Sequence, residues 1–148
     1  MANTYAQRLI EKWIRAKFLR EQFEQTFQER KLPLIWGGLF NFDAVSDDGT
    51  IAANISTSKA NTRRKRDGQG KFHKILADTF YLLNVRDVKR KMLIFTERDM
   101  YDEFVRRRDN GRFPPEIEFI LIDNIPLELR NGLEASRNVA SLEVAAER

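Results

Sequence analysis

The sequence predicts one α/β domain in which helices cover a mixed sheet, and three observations predict it. Apolar residues recur at helical spacing over 4–30, 71–84 and 97–109. Between the first two segments, residues 34–57 change to a strand-like pattern broken by turn residues. Met92-Leu93-Ile94-Phe95 is a short continuous apolar run between helices, the mark of a strand buried on both faces.

Each element has its own signal. In 4–30, Leu9, Ile10, Trp13, Ile14, Phe18, Phe23 and Phe27 form one face, with Thr4 and Gln7 at capping-box spacing and Pro33 marking the end. Leu34 to Leu39 predicts a first strand that ends or bulges at Gly37-Gly38. Phe40 to Val45 alternates as a second. Ser46-Asp47-Asp48-Gly49-Thr50 predicts a hairpin turn, and Ile51 to Thr57 a third strand. Residues 59–70 read as a polar, basic loop. Phe72, Ile75, Leu76, Thr79, Phe80 and Leu83 define the next helix, and Met100, Tyr101, Phe104 and Val105 the one after, with Thr96 as its cap. Glu116 to Ile122 predicts another strand. Pro126 stands near the start of a last helix, and the tail beyond about residue 138 fits helix or coil. No linker divides 1–148, so a single domain is expected, with the order helix, three strands, helix, strand, helix, strand, helix.

Composition removes several classes of function. The chain has 148 residues, 42% hydrophobic, with eleven Phe, and it can bury a sizeable core. There is no Cys, which excludes disulfides and thiol chemistry, and the single His, His73, makes a His-based metal site unexpected. No apolar run reaches the ~20 residues of a membrane-spanning helix, and the N-terminus lacks a signal-peptide core, so a cytoplasmic location is expected. Neither a P-loop nor a Gly-x-Gly-x-x-Gly fingerprint is present, nor a nucleophile elbow.

One polar constellation stands out. Asn54 and Ser56 lie two apart on the third strand and share a face, and Asp43 is on the neighbouring strand across a short hairpin. An acid on one strand, a pair two apart on the next, and then a helix resembles the PD-(D/E)xK, or restriction-endonuclease-like, superfamily. The residues that carry this are Phe42-Asp43-Ala44-Val45, Asp47-Asp48-Gly49 and Ile51 to Ser56, within the element order from residue 4 to residue 96. The resemblance implies a restriction-endonuclease-like core, α-β-β-β-α-β, with an added helix-strand-helix. It implies catalytic roles at Asp43, Asn54 and Ser56, with Asp43 a metal ligand. Active members carry a second acid at the position matching Asn54 and a lysine at that matching Ser56. Here an amide and a hydroxyl stand there, so the resemblance implies an eroded site. One carboxylate and one amide form a weak site for a hard divalent ion. The missing ammonium removes a charge that stabilises the transition state. Lys59, Lys71 or Lys74 could replace that lysine, and Glu11, Glu21 or Glu24 the acid. No cofactor is expected, with magnesium or manganese called for only if the site is active. The competing reading treats all three residues as polar positions on a half-exposed sheet face.

The charge is concentrated. From Ser58 to Lys74, seven cations (Lys59, Arg63, Arg64, Lys65, Arg66, Lys71 and Lys74) face one acid, Asp67, a net +6 against +4 for the whole chain. Such a segment neutralises phosphates without sequence preference. Further cations cluster at 86–91 and at Arg106, Arg107, Arg108 and Arg112, while Trp36, Phe72 and Tyr101 offer rings to bases. The expected function is DNA or RNA binding without robust cleavage. The alternative is a non-catalytic interaction or assembly module, and a third reading is a metal-dependent nuclease with relocated residues. No membrane partner is expected, and a homodimer is the oligomer that fold analogy suggests.

Overall fold

The computed structural model describes residues 5–60 and 65–146, with side chains except at 65–69 and 139–146. The predicted Thr4 cap lies outside the described residues. The first helix runs as α1 (Tyr5–Trp13), a π-helical stretch (Ile14–Leu19) and α2 (Arg20–Phe23). One wide turn changes the spacing of the buried side chains from four to five, so that Ile10, Ile14 and Leu19 all reach the core. The helix ends at Glu24, whose φ of 56° is left-handed.

The helix is therefore shorter than 4–30, and Phe27 opens a strand. Strand β1 is Phe27–Pro33, β2 is Leu39–Ser46 and β3 is Ile51–Ser56. The predicted three-strand antiparallel unit is present, but its first strand lies at 27–33 and not at 34–39. The miss has a physical cause. β1 is an edge strand that buries only Phe27 and leaves five polar or proline positions exposed, so it carries no apolar alternation. The helical spacing of Phe23 and Phe27 is real, and their rings meet at 5.7 Å across the reversal. Residues 35–38 instead make the hairpin tip.

The predicted turn at 46–50 joins β2 to β3. Gly49 takes a φ of 74° there. Asp48 accepts from the Thr50 amide and from the hydroxyls of Ser46 and Thr50, bonds that hold its carboxyl down to about 2.

After β3 the chain enters α3 (Lys65–Leu83), then β4 (Arg90–Phe95), α4 (Arg98–Asp109), β5 (Ile117–Leu121) and α5 (Leu127–Ala146). Residues 65–70, expected as loop, are helical. Gly68 and Gly70 made that stretch look like a turn, yet both sit within α3. Thr96 does not cap α4. Glu97 occupies that position, and the Thr96 hydroxyl bonds to Glu97 and to the Ser56 carbonyl. The tail beyond 138 continues as helix to Ala146.

The sheet order is β1-β2-β3-β4-β5, antiparallel across the first three strands and parallel across the last three. Its two faces carry separate cores. Ala52, Leu93 and Phe95 face α3 and α4, where Ile75, Leu82, Met100 and Phe104 pack. Ala53, Ile55, Met92 and Ile94 face the first helix and α5, against Ile10, Ile14, Leu19 and Leu133. Met92 to Phe95 thus alternates between two buried faces, as its unbroken apolar run requires. The molecule is a helix–sheet–helix sandwich. Among the described residues no helix is long and apolar enough to cross a membrane.

Candidate functional site

Strands β2 and β3 pair only at Ala44↔Ala53 and Val45↔Ala52. Beyond Ala53, β3 continues to Ser56 against β4, while β2 from Phe42 back to Leu39 continues against β1. The two strands fork. A register shift of β2 against β1 falls beside the fork, where two residues of β2, Ala44 and Asp43, stand against one of β1, Glu29.

Asp43 and Asn54 occupy the fork and replace the missing rungs of the ladder. The Asp43 amide donates to Asn54 Oδ1 at 3.2 Å, and the Ile55 amide donates to Asp43 Oδ2 at 2.8 Å. Asn54 Nδ2 reaches the Asp78 carbonyl of α3 at 3.4 Å. Asn54 is only 2% exposed, with both ends of its amide engaged. Ser56 is further out, and its hydroxyl accepts weakly from the Ser58 amide at 3.5 Å. Asp43 and Asn54 are therefore joined directly, and Ser56 is turned to the following loop.

Other elements bring charge to the fork. Arg15, in the π-helical stretch, donates to the Asp43 carbonyl at 3.1 Å. Lys74 and Asp78, one turn apart on α3, pair at 3.1 Å. Burial, and then the Asp43 carboxylate, push Glu11 up from 4.5 to about 7, against the pull of Arg15 and Lys74. Burial also raises Asp43, although the Ile55 amide and Lys74 resist it. Asp78 is raised by burial in spite of Lys74. Burial works against the charge of Lys74, but Asp78, Asp43 and Glu11 together outweigh it and hold its ammonium above the ordinary range. The fork thus gathers Glu11, Asp43 and Asp78 round a single lysine, with Arg15 behind. Carboxyl groups that resist ionisation are a common mark of functional sites.

Of the residues considered as replacements, Lys74 acts on Asp43 electrostatically and Glu11 feels the Asp43 charge; Glu21 and Glu24 are exposed near the end of the first helix. Glu11 was legible because it lies on a polar flank of the first helix. Asp78 was not anticipated: only the position of α3 over the fork assigns it there.

The donor set does not fit a resident magnesium ion. Asn54 is neutral and committed to backbone partners, and among the described residues no three acidic or histidine side chains are placed to hold a metal ion.

The basic segment is distributed over several surroundings. Lys59 pairs with Glu134 at 3.5 Å, Lys71 is half-buried, and Lys74 belongs to the fork with its side chain 64% exposed. Arg63 and Arg64 lie outside the described residues. Lys65 and Arg66 occupy the first turn of α3. Of the three candidate stacking rings, Tyr101 packs against Phe95 and Phe119, and Phe72 against Phe104. Trp36 is 54% exposed.

No family model matches the chain, and no curated protein or solved structure matches it.

Proposed function

We propose that this chain is a restriction-endonuclease-like domain with an eroded active site, which binds DNA or RNA in a cytoplasmic setting without robust cleavage. The observation that carries the reading is the Asp43–Asn54 seam at the fork of β2 and β3. The order helix, three antiparallel strands, helix, parallel strand agrees with the core that the resemblance implies. The resemblance implies that such a core holds its catalytic acid at the position of Asp43. The groups that would make it reactive are replaced by an amide locked to the backbone and by a serine turned aside.

Binding is supported by charge. The basic segment with Arg63, Arg64, Lys65 and Arg66 follows in sequence on β3, the strand that carries Asn54 and Ser56.

The test is retention of labelled DNA and RNA at low salt. The protein should bind in the ~10⁻⁴–10⁻⁶ M range at physiological salt, and each lost phosphate contact should lower the salt slope of log K by ~0.7–0.9. Changing Arg63, Arg64, Lys65 and Arg66 to Ser should abolish retention of both polymers. Absence of salt-sensitive binding in the unmodified protein sinks the proposal in favour of an interaction module. Magnesium-dependent cleavage that vanishes in Asp43→Ala would replace it with a relocated nuclease site involving Glu11 and Lys74.

A further inference from the structure

The hairpin between β1 and β2 exposes Ile35, Trp36 and Leu39, and α3 exposes Leu76 and Phe80. Single exposed apolar residues are ordinary, whereas a group of five is not. Two of them are in contact: Trp36 stacks on Phe80 at 5.7 Å with their planes 29° apart, and each is about half exposed, at 54% and 51%.

This pair is fixed in place. Leu34 bridges to Val85, the Ile35 amide donates to the Asn84 carbonyl at 2.9 Å, and the Arg86 amide donates to the Pro33 carbonyl at 3.0 Å. The hairpin tip is thereby clamped to the chain leaving α3. Gly37, at a φ of 99°, makes the turn that presents Trp36. Behind Phe80 the aromatic contacts continue inward: Tyr81 meets Phe80 edge-on at 5.4 Å and stacks on Phe40 at 4.1 Å. An aromatic pair that is rigid and open to solvent needs no ordering before it receives a flat ligand.

The surroundings favour an anion. Beside Leu76 and Phe80, the exposed positions on that flank of α3 are His73 and Ala77, while Lys74 and Asp78 pair on the opposite flank at the fork. The tip itself, residues 35–39, carries no charge, and Arg86 flanks it. Along α3, a recess of about 310 Å³ is lined by Phe72, His73, Leu76 and Arg107. Phe72, Leu76 and Phe80 follow one another at steps of four and lie on one flank of the helix. The eight steps from Phe72 to Phe80 span ~12 Å. An apolar track of that length, with Arg86 at one end and Arg107, itself paired with Glu103, at the other, suits two or three consecutive unpaired bases.

We propose that Trp36 and Phe80 form a base-stacking platform for single-stranded nucleic acid, which continues along α3 to the recess at Arg107. The proposal rests on the nucleic-acid reading above and adds strand preference to it. Duplex DNA keeps its bases stacked on one another and presents no free face to the pair.

The experiment uses a Trp13→Phe background, which leaves Trp36 as the sole indole, and compares oligothymidine with a hairpin duplex at low salt. Oligothymidine should quench Trp36 emission. Trp36→Ala and Phe80→Ala should each weaken single-strand binding by roughly 5- to 150-fold, with the salt slope and duplex binding unchanged. Trp36→Leu keeps an apolar side chain without a ring, and it should behave as Trp36→Ala does. Wild-type affinity in Trp36→Leu, or equal loss on duplex and single strand, overturns the platform. So does a monomer–dimer equilibrium in sedimentation that Trp36→Ala abolishes without affecting oligonucleotide binding, which would assign the patch to a second copy. If the basic-segment variant loses binding while Trp36→Ala and Phe80→Ala do not, the platform falls and the nucleic-acid reading stands. If no polymer binds at low salt, both fall.

Discussion

Two carboxylates, the buried Glu97 just past β4 and the half-buried Asp43 within β2, have surroundings that differ in kind. Glu97 follows β4 and is 6% exposed. Arg130 and Arg137 of α5 both pair with it, Arg137 at 3.1 Å, and Thr96 donates to it at 2.9 Å. The same two arginines bond the carbonyls of Thr96 and Thr57, and Arg137 also pairs with Glu134 at 2.7 Å. Every charge there has a partner, and the cluster fastens α5 to the ends of β3 and β4. At the fork, three carboxyl groups share one lysine, burial outweighs the compensation, and all three resist ionisation. A satisfied cluster reads as structural, and an under-compensated one as a site that a ligand or proton would complete.

The largest effect should come from the satisfied cluster. Glu97→Gln leaves Arg130 and Arg137 facing a neutral group, and breaking a buried pair in this way should cost about 3 kcal/mol. Urea unfolding measures it. A loss under 1 kcal/mol would show that the cluster is a surface network, and the contrast with the fork would weaken.

A smaller loss should follow from adding an acid to the fork. Asn54→Glu places a carboxylate opposite Asp43 at a position 2% exposed and removes the bonds to the Asp43 amide and the Asp78 carbonyl, at about 2 kcal/mol. With Ser56→Lys added, millimolar magnesium should restore part of that stability if the fork is a vestigial metal site. Loss of stability with no recovery would reduce the seam to a polar join between strands.

The smallest effect is a pH dependence. Glu11 titrates at about 7 when folded, against 4.5 as its ordinary value, so the folded chain holds a proton that the unfolded chain releases between those values. The associated stability is complete below about 4.5 and is lost as pH rises through 7. Glu11→Gln should flatten this fall and stabilise the protein above pH 7 by about 1 kcal/mol, a figure discounted for the partial exposure of Glu11. Thermal melts across that range test it, and an unchanged slope would remove Glu11 from the fork's electrostatics.

The sequence by itself determined the α/β class, the element order after residue 39 and the doubly buried strand at 92–95. Each rests on a local period that packing then obeyed, as with Phe72 to Leu83 on α3 or the Asp48-Gly49 turn. It also marked Asp43, Asn54, Glu11 and Lys74 by residue type and spacing. Only the tertiary structure decided the rest. Edge strand β1 needs a single apolar anchor, Phe27, and so shows no alternation to read. The basic stretch at 65–70 is helical in spite of two glycines because propensity is a weak prior. The fork depends on where the pairing of β2 and β3 stops, and pairing joins residues about ten apart that no local pattern compares. Asp78 reaches it from α3, and Arg130 and Arg137 reach Glu97 from an element more than thirty residues away. Burial and long-range charge set the protonation of these groups, and both are properties of the assembled fold rather than of any segment.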